Sequence, residues 1–480
     1  MSAMGVSKLV FQSSNLEFMS ILELIEKRLE ENFALHEQYL NPQMVRVLKT
    51  IGYDRHYVKA EGPYLFDNQG EKYLDLLSGF GVFALGRNHP KIVQALQEVL
   101  TAALPNLVQL DASILAGLLA ERLVAIAPNG LERVFFANSG TETVEAAIKF
   151  SRYATGRSQI VYCQGGYHGL TMGSLSATGD LHYREGFGPF VADFKEIPFG
   201  DLAALEKALI NQDVAAFITE PIQGHGVRIP EPNYLPAAAA LCRRYGTLFV
   251  ADEVQTGLGR TGKIWAVEHW GVEPDILCVA KALSGGFVPV GAVLCRRWIF
   301  DRVFDRMDRS VVHGSTFGKN NLAMAAGIAT LQVIEEEKLV ERSAVIGQQI
   351  IAELRPLVDQ YECLQEVRGL GMMIALEFAE PSSWSLKAAW KMLETANKGL
   401  FSQLIVVPLF TRHQILSQVS GHGMNIIKFI PPLTLSDEDC RWLVTAVKDV
   451  VADAHRFPGA AWEFGKTLAS QAIRQKTAKK

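Results

Sequence analysis

Leu248-Phe-Val-Ala-Asp252 and Pro274-Asp-Ile-Leu-Cys-Val-Ala-Lys281 are two apolar runs, one closing on a carboxylate and the other on an amine. Runs of Val, Ile, Leu and Phe without polar alternation describe strands buried on both faces, the habit of parallel sheets. Both runs then deliver their polar last residue to the same edge of one sheet, where open α/β sheets bind ligands. An amine in that apolar setting has a lowered pKa and can add to an aldehyde. A carboxylate beside it can hold the proton of a pyridinium nitrogen, with a gross attraction of about 5 kcal/mol at an effective dielectric of ~20.

Outward from this pair, Val134-Phe-Phe-Ala137, Ile160-Val-Tyr-Cys163, Ala216-Phe-Ile-Thr219 and Val290-Gly-Ala-Val-Leu294 alternate with helical patterns. The alternation predicts an α/β fold with a mostly parallel sheet covered by helices on both faces. Helical patterns over 320–358 lead into a mixed segment, 363–455, with strand-like Met372-Met-Ile-Ala-Leu-Glu-Phe378 and Asn425-Ile-Ile-Lys-Phe429. Pro63 to Leu77 reads as a hairpin turning at Asn68-Gln-Gly70, able to complete that second unit. Phe18, Ile21, Leu22, Ile25 and Leu29 recur at helical steps, marking an amphipathic helix expected to pack on its own domain or on a second subunit. The expected organisation is an N-terminal helical extension over 1–40, an N-terminal part of a small domain over 41–95, a large domain over 96–340, and a C-terminal small α+β domain and tail over 341–480.

The 480 residues, 49% apolar and 20% charged, suit a folded protein of two or three domains. A formal net charge of −4 provides no electrostatic footprint for nucleic acid or an anionic membrane surface, and no apolar stretch reaches the length of a membrane span. Cys163, Cys242, Cys278, Cys295, Cys363 and Cys440 form no CxxC pair and several lie in apolar runs, which suits reduced core thiols better than disulfides or a metal site. With no secretory pattern in Met1-Ser-Ala-Met-Gly-Val-Ser-Lys8, a cytoplasmic location is expected. The tail after Glu463 carries Lys466, Arg474, Lys476, Lys479 and Lys480 without an acid, the composition of a solvated end.

Asn138-Ser-Gly-Thr-Glu142 lies between the run Val134–Ala137 and the helical pattern Val144–Phe150, so unpaired backbone N–H groups and hydroxyls crowd at a helix N-terminus, where a phosphate fits. Gly165-Gly-Tyr-His-Gly169 follows the next strand and places Tyr167, able to stack on an aromatic ring, with His168 at the same edge. Phosphate cup, stacking aromatic, pyridinium carboxylate and aldehyde-binding amine are together the requirements of pyridoxal phosphate. Lys281 would hold its aldehyde as a Schiff base, release it to an incoming amine and serve as base in the ensuing proton shift.

With Thr219-Glu-Pro-Ile-Gln-Gly224, Ala251-Asp-Glu-Val-Gln-Thr-Gly-Leu-Gly-Arg-Thr-Gly262, Ala280-Lys-Ala-Leu-Ser-Gly-Gly286 and His313-Gly-Ser-Thr-Phe-Gly318, the chain from about residue 45 to 455 resembles the class III aminotransferases of the fold-type I pyridoxal-phosphate superfamily. The resemblance implies a large domain with a mostly parallel seven-stranded sheet and a smaller α+β domain. It assigns Ser139, Gly140 and Thr141 to the phosphate, Tyr167 and Val254 to the two ring faces, Asp252 to the ring nitrogen, Gln255 to the ring hydroxyl and Lys281 to the Schiff base. His168 and Glu220 fall among the cofactor contacts. Thr316 would reach the phosphate of a neighbouring subunit, implying a homodimer with shared active sites. Ser78-Gly-Phe-Gly-Val-Phe83 and the 276–293 stretch look most like putrescine-type and other omega-amine aminotransferases.

Three departures bear on substrate. Leu170 occupies the place where relatives acting on ornithine, acetylornithine or 4-aminobutyrate usually carry an Arg that grips a carboxylate. His225 and Lys428 stand where many relatives pair a Glu with an Arg, and a lysine lacks the planar fork that suits a keto-acid carboxylate. Lys319 and Asn321 replace a usual Gly and Pro. The expected reaction moves an amino group from a primary, omega or terminal amine, long or apolar given Phe80, Phe83 and Leu170, to a keto acid such as pyruvate or 2-oxoglutarate. An aminomutase, a decarboxylase, or a 4-aminobutyrate- or acetylornithine-type aminotransferase shares the same apparatus; a non-catalytic binding role is disfavoured by the intact Asp252 and Lys281.

Overall fold

The computed structural model describes residues 20–108, 110–456 and 459. Its centre is a seven-stranded sheet in the order Leu131–Ala137, Gly291–Arg296, Ile276–Val279, Leu248–Asp252, Val214–Thr219, Gln159–Cys163, Phe194–Ile197. Gly291–Arg296 runs antiparallel to both neighbours and the remaining pairs are parallel. The three inner strands Val214–Thr219, Leu248–Asp252 and Ile276–Val279 are buried at every position, which is why their sequences carry no polar alternation. Six of the seven strands coincide with the apolar runs. The seventh, Phe194–Ile197, was absent from them: it lies at the sheet edge with Lys195 and Glu196 exposed, so burial never demanded an apolar sequence there.

The helix Gly140–Thr155 covers one face. Ser139 caps its start by accepting the Glu142 N–H, Gly156 ends it in the left-handed region at φ 70°, and Val144, Ala147, Ile148, Phe150, Ser151 and Ala154 are buried at three- and four-residue steps. Two smaller sheets flank the centre. Tyr57–Glu61, Tyr64–Asp67 and Lys72–Asp75 form the N-terminal one, and Ile415–Leu416 from the C-terminal part adds to it in parallel beside Lys72–Asp75. The other is Leu364–Leu370, Met373–Phe378, Ile426–Phe429 and Gln418–Val419, antiparallel throughout. The helix Asp437–His455 opens on a capping box made by Ser436 and Asp439 and is tied to the N-terminal sheet through Tyr64, whose hydroxyl donates to Asp439 at 2.6 Å.

Beyond Asp252 the chain runs into a turn that is stitched to the C-terminal sheet. Buried Arg260 donates to the carbonyls of Met372, at 3.0 Å, and Pro431, while its own carbonyl accepts from Ser343 Oγ at 3.0 Å and from Met372 N at 2.9 Å. Glycines allow the backbones to meet: a Cβ on Gly347 would lie 1.9 Å from the Gly371 carbonyl oxygen, and one on Gly371, at φ 53°, would lie 2.4 Å from the Thr261 carbonyl carbon.

The amphipathic helix is present as Ile21–Arg28, but none of its residues is buried, and Ile21 and Leu22 are about two-thirds exposed. The expected packing on the chain's own domain is not found; Phe18, the proposed start, lies outside the described residues, as does the basic tail of Lys466, Arg474, Lys476, Lys479 and Lys480. No helix among the described residues is long and apolar enough to cross a membrane. Five cysteines are buried, Cys440 is half-buried, and all six are free thiols.

The Gly347 contact makes a direct prediction. Gly347→Ala should destabilise the fold by about 1–3 kcal/mol, because backbone must move, whereas Gly117→Ala, in a helix interior with nothing within 4 Å of the added Cβ, should be neutral or stabilising by up to ~1 kcal/mol. Opposite shifts of the urea midpoint would show this; equal shifts would refute the close-contact account.

Candidate active site

Register places the two polar strand ends together. Asp252 lies opposite Cys278 in the parallel ladder, and the chain passes through Val279 and Ala280 to Lys281 at the same edge. Asp252 is immobilised from two sides: Oδ2 faces His168 Nδ1 at 2.7 Å and Oδ1 accepts Val254 N–H at 3.1 Å. The His168 and Asp252 side chains are 0% and 4% exposed. Burial works against charge on His168, yet the hydrogen bond and charge of Asp252, with Glu220 nearby, raise its pKa above the ordinary imidazole value. His168 therefore sits behind the carboxylate as a positioning group. Glu220, also buried, accepts the N–H groups of Tyr167 at 2.9 Å and Gly224 at 2.8 Å and so fixes two loops rather than facing outward; burial raises its pKa, opposed by His168.

The helix beginning at Gly140 leaves the Gly140 and Thr141 N–H groups without intrahelical acceptors. A Cβ on Gly140 would lie 2.8 Å from Val254 Cγ1, so only glycine lets Val254 close on this cup. Around it the hydroxyls of Thr141, Thr171 and Ser174 contact one another at 2.6–3.0 Å, and Glu145 accepts the Thr171 hydroxyl and the N–H groups of Gly173 and Ser174. Lys281 follows at φ 30°, part-buried, and among the described residues its Nζ has no hydrogen bond. Burial lowers its pKa against the pull of Asp252 and Glu220. A cup of free N–H groups, a clasped carboxylate and an unpaired low-pKa amine fit pyridoxal phosphate.

The remaining predicted contacts form the outer wall. Lys428, 3% exposed, donates to the Gly224 carbonyl at 2.8 Å and to Gln255 Oε1 at 3.2 Å, and Gln255 Nε2 donates to the Phe80 carbonyl at 3.0 Å. Burial, with Lys281 nearby, pushes the Lys428 amine down to about 7. Phe80, at φ 61°, and Leu170 are each just over half exposed, and Phe83 turns toward Arg87, whose guanidinium lies 3.9 Å from its ring centroid. His225 stacks on Tyr183 and is driven down to about 4 by burial and by Lys428. Thr316 is exposed, next to Ser315, whose Oγ accepts from Asn138.

The structure accounts for Asn321 of the two substitutions after the Thr-Phe-Gly motif and has no explanation for Lys319. Lys319 occupies the left-handed region at φ 69°, where a glycine is the unstrained choice, and Asn321 uses donors that a proline lacks: its N–H reaches Asn106 Oδ1 at 2.9 Å and its side-chain amide the Pro105 carbonyl at 2.7 Å. Sequence reasoning missed Glu145 and Asp180. The latter, in Thr178-Gly-Asp180, shows only the helix-capping signal it also satisfies, accepting His182 N–H at 3.0 Å.

Comparison with known proteins agrees with this geometry. The family model for aminotransferase class-III matches residues 50–451. A putrescine aminotransferase of Pectobacterium atrosepticum is 37% identical over 437 residues, 88% of each chain. Aminotransferase PigE of a Serratia species is 35% identical over 477 residues, 93% of this chain but 56% of PigE, so the chain spans about half the length of that relative. Among solved structures, ornithine aminotransferase of Toxoplasma gondii superposes with a TM-score of 0.77 at 30% identity, covering 90% of this chain and 98% of that one. An (S)-enantioselective omega-transaminase of Thermomicrobium roseum gives 0.77 at 29%, covering 92% and 100%.

Lys428 generates a pH prediction. Its folded pKa, about 7, lies below the ordinary 10.5, so between these values the unfolded chain holds a proton the folded chain lacks. Stability from this group therefore rises with pH across the window by about 1.4 kcal/mol per unit and is lost as pH falls toward 7. Lys428→Met should gain on the unaltered protein more at pH 7.5 than at pH 9.5 in urea unfolding; a pH-independent difference would show the amine to be unshifted.

Proposed function

The chain belongs to the class III aminotransferases, pyridoxal-phosphate-dependent enzymes, and we propose that it moves an amino group from a primary, terminal amine to a keto acid such as pyruvate or 2-oxoglutarate. The observation that carries the reading is the delivery of Asp252 and Lys281 to one sheet edge. Pyridoxal phosphate, when bound, supplies an aldehyde for the amine and a protonated ring that accepts electrons from the donor carbon. The free N–H groups of Gly140 and Thr141, with Ser139, would hold its phosphate. Asp252 would keep a proton on the ring nitrogen, and His168 and the Val254 N–H prevent the carboxylate from turning away. Tyr167 and Val254 confine the ring from its two faces. Lys281 would hold the aldehyde and, once released, its Nζ would accept and return a proton, a task suited to an amine whose pKa burial has lowered.

The donor side supports an amine without a carboxylate in the first half-reaction, since Leu170 offers no cation and Phe80 adds apolar surface at the mouth. For the acceptor, Lys428 is a cation bonded to Gln255, a point charge rather than a fork. The 37% identity to a putrescine aminotransferase favours an omega-amine donor. We further infer a homodimer in which exposed Thr316 reaches the phosphate cup of a second copy, and a cytoplasmic setting that keeps the free thiols reduced.

Borohydride reduction of the holoenzyme should fix the cofactor to the peptide containing Lys281, and Lys281→Ala should abolish both this mass increase and amino transfer. A cofactor mass at another lysine would overturn the assignment. Single-turnover loss of the visible cofactor band, run against alkyl amines, diamines and amino acids, should accompany release of an aldehyde or ketone; carbon dioxide instead would mean decarboxylation.

A further inference from the structure

One polar cluster beside the site has no role in the reaction described above. Asp180 follows the loop that carries Tyr167, its side chain 17% exposed, with Oδ1 occupied by the His182 N–H and Oδ2 3.6 Å from His225 Nδ1. That separation is too long for a hydrogen bond, and His225 Nδ1 is buried with no partner among the described residues. The contact is no ion pair either. His225, with a pKa of about 4 set by burial and by Lys428, Lys281 and Arg228 against the pull of Asp180, is neutral at physiological pH, leaving a carboxylate oxygen and an imidazole nitrogen turned toward each other without an ion pair or a hydrogen bond. Aromatic rings close the cluster: Tyr183 lies nearly parallel to His225 at 5.8 Å, and Tyr167 lies 5.3 Å from Tyr183 and 5.4 Å from His225.

We propose that Asp180, His225 and Tyr183 form a subsite for a second, cationic amine at the far end of the donor. An ammonium group satisfies all three at once. It donates a charge-assisted hydrogen bond to Asp180 Oδ2, donates another to His225 Nδ1, whose lone pair is free when the ring proton is on Nε2, and lies against a tyrosine ring. Tyr167 borders this cluster and is also the residue proposed to stack on the cofactor ring, which puts the subsite beside the reacting end of a short diamine. Among the described residues Asp180 is the carboxylate that acts on His225, so it supplies the negative charge an ammonium at this place would meet. A donor with a second amine is thereby separated from an alkyl monoamine by a site built to bond what the monoamine lacks.

The subsite rests on the transaminase reading, and the test separates the two. With holoenzyme, kcat/KM for putrescine and for butylamine gives a ratio, and Asp180→Asn, which keeps the cap on His182, should lower that ratio about 10- to 100-fold, chiefly through the KM for putrescine. His225→Phe, which keeps the ring but removes the nitrogen, should lower it in the same direction. Calorimetric binding in the Lys281→Ala background provides a readout without turnover: putrescine should bind at least about tenfold more tightly than butylamine, and Asp180→Asn should erase the difference. A ratio unmoved because both donors decline together, or equal affinities in calorimetry, would overturn the subsite while leaving amino transfer intact. Absence of transfer from every amine tested would instead remove the reaction reading, and the donor subsite with it.

Discussion

The hydrogen bond between His168 and Asp252 is the constraint on which the rest of the site depends. Both side chains are sealed from solvent, and a buried carboxylate without partners would take up a proton and lose its charge. The imidazole, whose pKa the facing carboxylate raises against the effect of burial, and the Val254 N–H keep the carboxylate in place. Glu220 serves the same end from further back: by gathering the N–H groups of Tyr167 and Gly224 it fixes the loop that bears His168 relative to the one that leads to His225. The sheet contributes the direction of Asp252, and this buried cluster its charge and orientation.

The wall opposite is built differently. Lys428 comes from the C-terminal antiparallel sheet, touches the loop of the central sheet at Gly224, and through Gln255 is connected to the backbone at Phe80 near the N-terminal sheet. Three parts of the chain thus meet at one amide side chain. The seam behind it, where Arg260 is threaded among the carbonyls of Met372 and Pro431 and glycine backbones touch, permits little independent drift of these parts.

What could be read from the amino acids follows from how strongly burial selects them. The inner strands are enclosed on both faces, so Leu248–Asp252 and Ile276–Val279 had to be apolar, and the fold and the delivery of Asp252 and Lys281 to one sheet edge were legible together. Phe194–Ile197 escaped because an edge strand with one open side tolerates Lys195 and Glu196. The partnership of His168 with Asp252 was invisible for another reason: a hydrogen bond between distant positions leaves no periodic trace. Asp180 was hidden by a double identity, since an aspartate before a short helix already has a sufficient local explanation. The helix Ile21–Arg28 shows the reverse, where an apolar periodicity correctly gives the helix and says nothing about what covers its apolar face.

Among the described residues, the Lys281 amine has no hydrogen bond to break. Side chains not held in this way change rotamer on timescales of nanoseconds or faster when exposed, and even a large slowing by the surrounding walls leaves such motion well ahead of a typical turnover of ~10 per second. The pocket therefore divides its parts by tempo. The clasped acid is held in one orientation, while the amine, when not bonded, is free to reorient faster than any such turnover.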